Sequence, residues 1–298
     1  DDNTIGDTDT RIDDKYLKYN LNKNGVNSGA TLLTSIGSNP NRILDSGTIE
    51  GKGTNEYSLN LWITDEVDGN YSGQVFSGKL RVEVSQAKPG AGDTILAGLT
   101  SGDTYDDDVD TFITGEDPNN YIWYSGKLWR AVSVNNEAKT TKLVTQWNIS
   151  AITYNPSNQT NFEGSYMEDW LNDTSVDGFL GNLRDYEKFI VTDAVWDATL
   201  DATGLGNITR PNGATTVTAP VGLLNIYEYQ SSNNGGTNGY LNNGLYWWTL
   251  TPNSSSYVRY VDNYGNASSN YPTNAYGVRP SINLKSNVKI VDGDGTVD

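Results

Sequence analysis

Between Asn242-Asn243-Gly244 and Pro252 lies Tyr246-Trp247-Trp248-Thr249-Leu250, five residues that all favour extended backbone. The Asn-Gly pair before them and the proline after them are turn punctuation, so the segment predicts a short strand with fixed ends. Tyr257 to Val261 then alternates apolar with polar residues, turns at Asp262-Asn263, and returns as Tyr276-Gly277-Val278-Arg279. The stretch from Tyr240 to Leu284 therefore predicts the closing strands of an antiparallel sheet on which a C-terminal domain is built. Neighbouring residues of a strand face opposite sides. Trp247 and Trp248 are thus divided between the two faces, one in the core and the other available to an aromatic surface.

The chain of 298 residues has length for two domains. Hydrophobic residues make up only 36%, but eight Trp and 19 Tyr bring large burial per residue, so sizeable cores are within reach. A formal charge of −17 repels phosphate backbones and anionic lipid, which excludes nucleic acid as the expected partner. Cys and His are both absent. Without them the chain has no disulfide, no thiolate zinc site, and no Ser-His-Asp or Cys-His nucleophile. Any chemistry must run on carboxylates, Tyr, Lys or oxygen-ligated cations. No apolar run reaches membrane-spanning length.

Taken in order, residues 1–15 form a polar, acidic arm, read as a candidate donor strand. Residues 16–87 predict a β-sandwich. Strands are expected at Tyr16 to Leu21, Ile43 to Glu50, Tyr57 to Ile63 and Leu80 to Val84, with turns at Asp68-Gly69-Asn70 and Ser72-Gly73. A sandwich of this kind takes about seven strands, so four leave it short. Either the first strands of the sandwich are missing, or short strands escape the pattern, for instance around Thr31 to Ile36, or a neighbouring molecule supplies one by β-strand donation. Residues 88–110 read as a linker and acidic loop. Asp106, Asp107, Asp108 and Asp110 are the oxygen ligands on offer to Ca²⁺, although their spacing matches no defined calcium loop. No other cofactor is implied.

Residues 111–291 predict an α+β domain. Tyr121 to Tyr124 and Leu128 to Val134 form a hairpin around Ser125-Gly126-Lys127, and Lys142 to Trp147 adds a strand. Ser165 and Glu168, then Asn225 and Glu228, are capping-box pairs that open helices. A further short helix is expected from Phe179 to Phe189, continuing towards Trp196. Strands, helices and strands in that order predict helices laid on one face of an antiparallel sheet. Residues 292–298 are a tail with a turn at Asp292-Gly293-Asp294-Gly295.

Three stretches recur together in a recognisable order: Thr111 to Gly115 with Asn120 to Arg130; Tyr246-Trp247-Trp248-Thr249-Leu250-Thr251-Pro252; and Gly277-Val278-Arg279-Pro280-Ser281-Ile282-Asn283-Leu284. The set resembles an uncharacterised domain family of Firmicutes surface proteins, distantly similar to the C-type-lectin-like fold shared with formylglycine-generating enzymes. The cysteine that would activate oxygen in the enzymes is missing. The resemblance therefore implies a lectin-like fold and a cell-surface location, not a reaction. Glu56 to Ile63 and Phe76 to Val82 resemble, more weakly, the camelysin-like, Ig-like β-sandwiches of bacterial surface and fibre proteins. The expected fold class is mainly β with α+β.

Candidate site residues divide into two groups. Trp247, Trp248, Arg279, Trp123 and Trp129 are expected to be structural, with Arg279 pinning the last strand through carbonyls or a carboxylate, or else binding a ligand. Tyr257, Tyr260, Tyr264 and Tyr271 are the expected ligand-binding residues, because exposed aromatics among Asn and Asp suit sugar faces and protein contacts. Glu163, Glu168, Asp169 and Asp173 are the carboxylates from which a hydrolytic pair would be drawn, but the helix start accounts for Glu168 and Asp169 more simply. The expectation is a non-enzymatic extracellular protein joined to copies of itself in a filament or pilus-like assembly, or to other surface proteins. The alternative is a monomeric adhesin that binds glycans.

Overall fold

The structure is a computed structural model and describes residues 12–37, 42–47, 49, 53–67, 74, 76, 80, 82, 88–201, 209–233 and 239–297. The chain divides into two compact units, residues 1–86 and 87–298. Both are dominated by antiparallel strands, giving a mainly β fold with an α+β second unit.

In the first unit, β1 (Leu17–Lys23) is central, with β2 (Val26–Asn27) and β3 (Thr31–Leu32) along one edge and β4 (Tyr57–Ile63) along the other. Asn24 and Gly25, at φ of 53° and 83°, make the tight turn into β2. The core is small: Ile12, Leu17, Tyr19 and Leu33 are buried, with Leu21, Leu44 and Phe76 partly buried around them. Two expected strands are not seen among the described residues. Residues 42–47 and 49 have no strand structure, nor do Leu80 and Val82. The remaining residues of those two expected strands, both expected turns and the arm up to Arg11 lie outside the described residues.

The second unit opens with helix α1 (Ala91–Gly98), whose Ala91, Gly92 and Ile95 are buried. β5 (Thr104–Asp106), β6 (Asp110–Ile113), β7 (Tyr121–Tyr124), β8 (Lys127–Asn135), β9 (Thr141–Thr145) and β10 (Ser150–Thr153) follow. Helices α2 (Tyr166–Asn172) and α3 (Tyr186–Phe189) lead to β11 (Val195–Asp197), β12 (Thr216–Thr218), β13 (Val221–Gly222) and helix α4 (Ile226–Ser232). The chain ends in β14 (Trp247–Pro252), β15 (Val258–Val261), β16 (Ala267–Asn270), β17 (Ala275–Val278) and β18 (Ser281–Leu284). One sheet runs β13-β18-β9-β8-β6-β5, with β7 also paired to β8; another runs β10-β17-β14-β15-β16; β11 and β12 form a separate ribbon. A continuous apolar core, including Trp129, Trp196, Trp247 and Trp248, fills the unit.

Several expectations change. Residues 88–110 are not a linker: α1 packs its buried face into the second unit's core, and β5 extends the large sheet by pairing with β6. The C-terminal tail also returns to the body, where the carbonyl of Gly295 accepts the Tyr121 N–H at 2.9 Å. Phe179 to Trp196 breaks into a 3₁₀ turn at Leu180–Asn182, the short α3 and then β11, because β-forming Val195-Trp196 is taken up by β12. After β15 the chain makes an additional strand, β16, before β17. The Asn225–Glu228 capping box is complete. At α2 only half of one forms: Ser165 accepts the Glu168 N–H, but the Glu168 carboxylate reaches the N–H of Gly164 instead.

Candidate binding surfaces

The two faces of β14 organise the aromatic residues of the second unit. Trp247 points towards α4, where its ring meets Tyr229 edge-on at 5.3 Å, and Arg279 lies 4.9 Å from its centroid. Arg279 is fully buried; its Nε donates to the Thr145 carbonyl at 2.9 Å and its Nη1 to the Leu241 carbonyl. The guanidinium thus ties β9, the loop before β14 and the end of β17 together. Burial, with Arg130 nearby, pushes its pKa down to about 9. Arg130, which sequence reasoning passed over, is also buried. It stacks at 3.6 Å over Tyr121 and 4.7 Å over Tyr240 and donates to the Pro118 carbonyl at 3.2 Å.

Trp248 takes the other face, and there the expectation of an exposed tryptophan is corrected. Tyr154, Tyr260 and Tyr276 stand around it at 4.8 to 6.1 Å, and it is fully buried. Cross-strand register explains this, since Tyr260 lies directly opposite Trp248. The rings of Tyr246, Tyr260 and Tyr276 form a triangle with centroids 4.6 to 6.0 Å apart, and Asn270 donates to the Tyr276 hydroxyl at 2.6 Å. Of the four expected ligand-binding tyrosines, only Tyr260 belongs to this cluster. Tyr257 and Tyr271 pair separately, at 4.7 Å with hydroxyls 3.0 Å apart, and Tyr264 stands 72% exposed in the β15–β16 turn. Tyr246 was missed because it directly precedes β14, distant in sequence from β17, and only the pairing of those two strands brings it beside Tyr276.

Trp129 is buried and donates Nε1–H to the Tyr124 carbonyl at 3.0 Å. Trp123, expected beside it as a structural residue, is 72% exposed. The two lie on strands β7 and β8, but Trp123 pairs with Leu128 rather than Trp129 and so takes the opposite face.

The acidic loop is filled by the protein itself. Arg210 donates Nε–H to Asp107 and Nη2–H to Asp110, each at 2.6 Å, while the Tyr227 hydroxyl donates to Asp107 at 2.5 Å. Asp106 accepts from Asn136 at 2.9 Å. Burial raises the Asp107 pKa, but the Tyr227 hydroxyl, the Asp110 N–H and Arg210 outweigh it and hold the carboxyl below its usual range. Burial and the same carboxylate push Tyr227 up to about 12. Beside Arg210 opens a cleft of 430 Å³ whose lining includes Lys142, Glu228, Asp193 and Asn283, with Lys142 and Glu228 ion-paired. Among the described residues no three Asp, Glu, His or Cys side chains are placed to share a metal ion. Of the carboxylates considered for hydrolysis, Glu168 accepts from the Gly164 N–H and Asp173 from the Ser175 N–H and hydroxyl, while Glu163 and Asp169 are exposed on the surface. Asp294 likewise accepts from Thr296.

In the first unit the notable surface is β4. Among the described residues it pairs with β1 alone. All seven of its residues are exposed, and none is charged. Tyr57, Leu59, Leu61 and Ile63 lie opposite Lys23, Leu21, Tyr19 and Leu17, on the face that carries the core. The alternation predicted from sequence is therefore present, yet these side chains remain 46, 40, 39 and 51% exposed. Backbone direction follows from two bonds at the ends of the ladder. Thr64 N–H donates to Tyr16 and Asn24 N–H to the carbonyl of Glu56, so the even-numbered residues of β4 bond to β1. The N–H and C=O groups of residues 57, 59, 61 and 63 face away from it.

Comparison with protein families matches residues 223–286 to a domain of unknown function (DUF6273). The match spans α4 and β14 to β18 and holds both the Tyr246-to-Pro252 and the Gly277-to-Leu284 motifs. Comparison with curated proteins and with solved structures finds no match. Residues 223–286 are thus similar to that family, and they carry the buried arginine and most of the tyrosine cluster described above.

Proposed function

We propose that this chain is a non-enzymatic extracellular structural protein of a bacterial cell surface, a subunit of a filament or pilus-like assembly whose copies join by β-strand addition to the first unit. One observation carries the reading: among the described residues β4 offers a seven-residue edge with outward backbone groups and an exposed apolar row. Natural proteins guard such edges with Lys, Pro, bulges or a covering element. β4 contains none of the charged or proline residues that would do so. An added strand would satisfy its backbone groups and cover its apolar face together. The lectin-like reading of the second unit fits a decorating domain, and the surface location rests on the resemblance to surface-protein families.

The test is sedimentation and negative-stain microscopy of the full chain across a concentration series. Polymers or defined oligomers support the reading, and single particles at every concentration end it.

The tyrosine face favours a second reading, an adhesin that binds glycans. Tyr246, Tyr260 and Tyr276, with Asn270, gather ring edges and hydroxyls on one side of a sheet. Saturable glycan-array binding lost in Tyr246→Ala and Tyr276→Ala would support it, and a blank array with and without Ca²⁺ would remove it.

A further inference from the structure

We infer that the strand added at β4 is β4 of a second copy, paired antiparallel about a two-fold axis through Asn60. This rests on the strand-addition reading above and names the partner strand. Three observations lead to it. First, the outward groups belong to residues 57, 59, 61 and 63. In an antiparallel pair centred on Asn60, Tyr57 meets Ile63 and Leu59 meets Leu61, so every outward N–H and C=O of one copy finds an outward group of the other.

Second, the same register keeps the faces matched. A shift by one residue would turn apolar side chains to the wrong side. Centring on Asn60 sets Tyr57 against Ile63 and Leu59 against Leu61 on the core face, both favourable cross-strand pairs. It also joins the two small cores under one continuous sheet. Third, charge permits it. Two copies of a chain of net charge −17 repel one another, yet the contacting strand, Tyr-Ser-Leu-Asn-Leu-Trp-Ile, has no ionised side chain.

The N-terminal arm suits the edge less well. Residues 1–11 contain one apolar residue, Ile5, and four aspartates. Ile12, the next apolar side chain, is only 2% exposed in the core of its own unit. An arm with one apolar residue leaves most of the row of four on β4 uncovered. A two-fold pair closes on itself, so the repeating unit of the assembly is a dimer.

The chain has no native cysteine, which makes the test direct. At the two-fold axis Asn60 faces its own copy in a non-hydrogen-bonded pair, with Cα atoms about 4.5 Å apart, within the span a disulfide bridges. Full-length Asn60→Cys is expected to oxidise to a covalent dimer. Ser58→Cys, which faces residue 62 of the other copy, is expected to stay monomeric on the same non-reducing gel. Leu61→Pro removes an outward N–H that β1 does not use, a place where an edge strand tolerates proline. It is expected to abolish self-association in sedimentation while the chain still unfolds cooperatively, and Leu61→Lys should do the same if the proline variant fails to fold. Deleting residues 1–11 should leave association intact. The inference is overturned if the chain associates but Asn60→Cys cross-links no faster than Ser58→Cys, or if deleting the arm abolishes association. Strand addition by another segment would survive either result. A chain that is monomeric throughout overturns both.

Discussion

Thr64 donates its backbone N–H to the carbonyl of Tyr16 at 2.8 Å, and that bond orients the strand before it. Because pairing to β1 runs unbroken from Tyr57 to Ile63, it turns the backbone groups of Ser58, Asn60 and Trp62 inward and those of Tyr57, Leu59, Leu61 and Ile63 outward.

Amide exchange should therefore alternate along β4. In dilute protein, the N–H groups of residues 58, 60 and 62 are expected to be protected and those of 57, 59, 61 and 63 to exchange like open chain. Raising the concentration into the associated regime should slow the second set. Uniform protection in dilute monomer would mean that the edge is already covered.

The Asp107 latch makes the second unit sensitive to acid. The fold lowers this carboxyl's pKa, so its stabilising contribution is complete above the ordinary aspartate value of about 3.9 and disappears as pH falls through the lower folded value. Asp107→Asn should cost about 1 kcal/mol at pH 7, a figure reduced because Arg210 is partly exposed. It should also flatten the loss of stability between neutral pH and the acid range. Parallel melting curves of variant and parent at each pH would count against the latch.

Gly277 sits where β17 meets β14. A Cβ there would lie 1.8 Å from Asn148 Nδ2 and 2.5 Å from the Tyr246 carbonyl oxygen. Asn148 can swing aside, but the carbonyl accepts the Gly277 N–H at 3.0 Å and cannot. Gly277→Ala should destabilise the chain by about 1–3 kcal/mol, measured by urea unfolding. A neutral result would show that the two strands separate more easily than their packing indicates.

Arg279→Lys retains the charge but not the fork. A lysine ammonium can reach one of the Thr145 and Leu241 carbonyls, and it gives up its charge more readily on burial. The expected loss is about 2–4 kcal/mol, with the near-ultraviolet signal of buried Trp247 altered as well. An unchanged unfolding midpoint would show that the guanidinium adds nothing beyond what an ammonium supplies.

Much of the architecture was legible locally. Ser125-Gly126 takes up the positive φ values of a tight hairpin turn, 53° and 69°, between strands whose alternation was already plain. The Asn225–Glu228 capping box forms as its three-residue spacing requires. These features depend on residues within a few positions of one another. The acidic loop was misread because what occupies it, Arg210, lies about a hundred residues away. The same applies to the tyrosines: their numbers were evident, but the joining of Tyr246 to Tyr260 and Tyr276, with Tyr257 and Tyr264 left apart, depends on which strands lie side by side.

By itself the sequence determined the Tyr121-to-Val134 hairpin, the capped helices, the Tyr246-to-Val261 strands and the absence of histidine and cysteine chemistry, because turn residues, periodicity and side-chain inventory act over short range. Tertiary structure decided which charges meet, which aromatic rings are covered, and that the apolar row of β4 is left open. Those outcomes depend on strand order and register, and no residue's own conformational preference specifies its neighbour across a sheet.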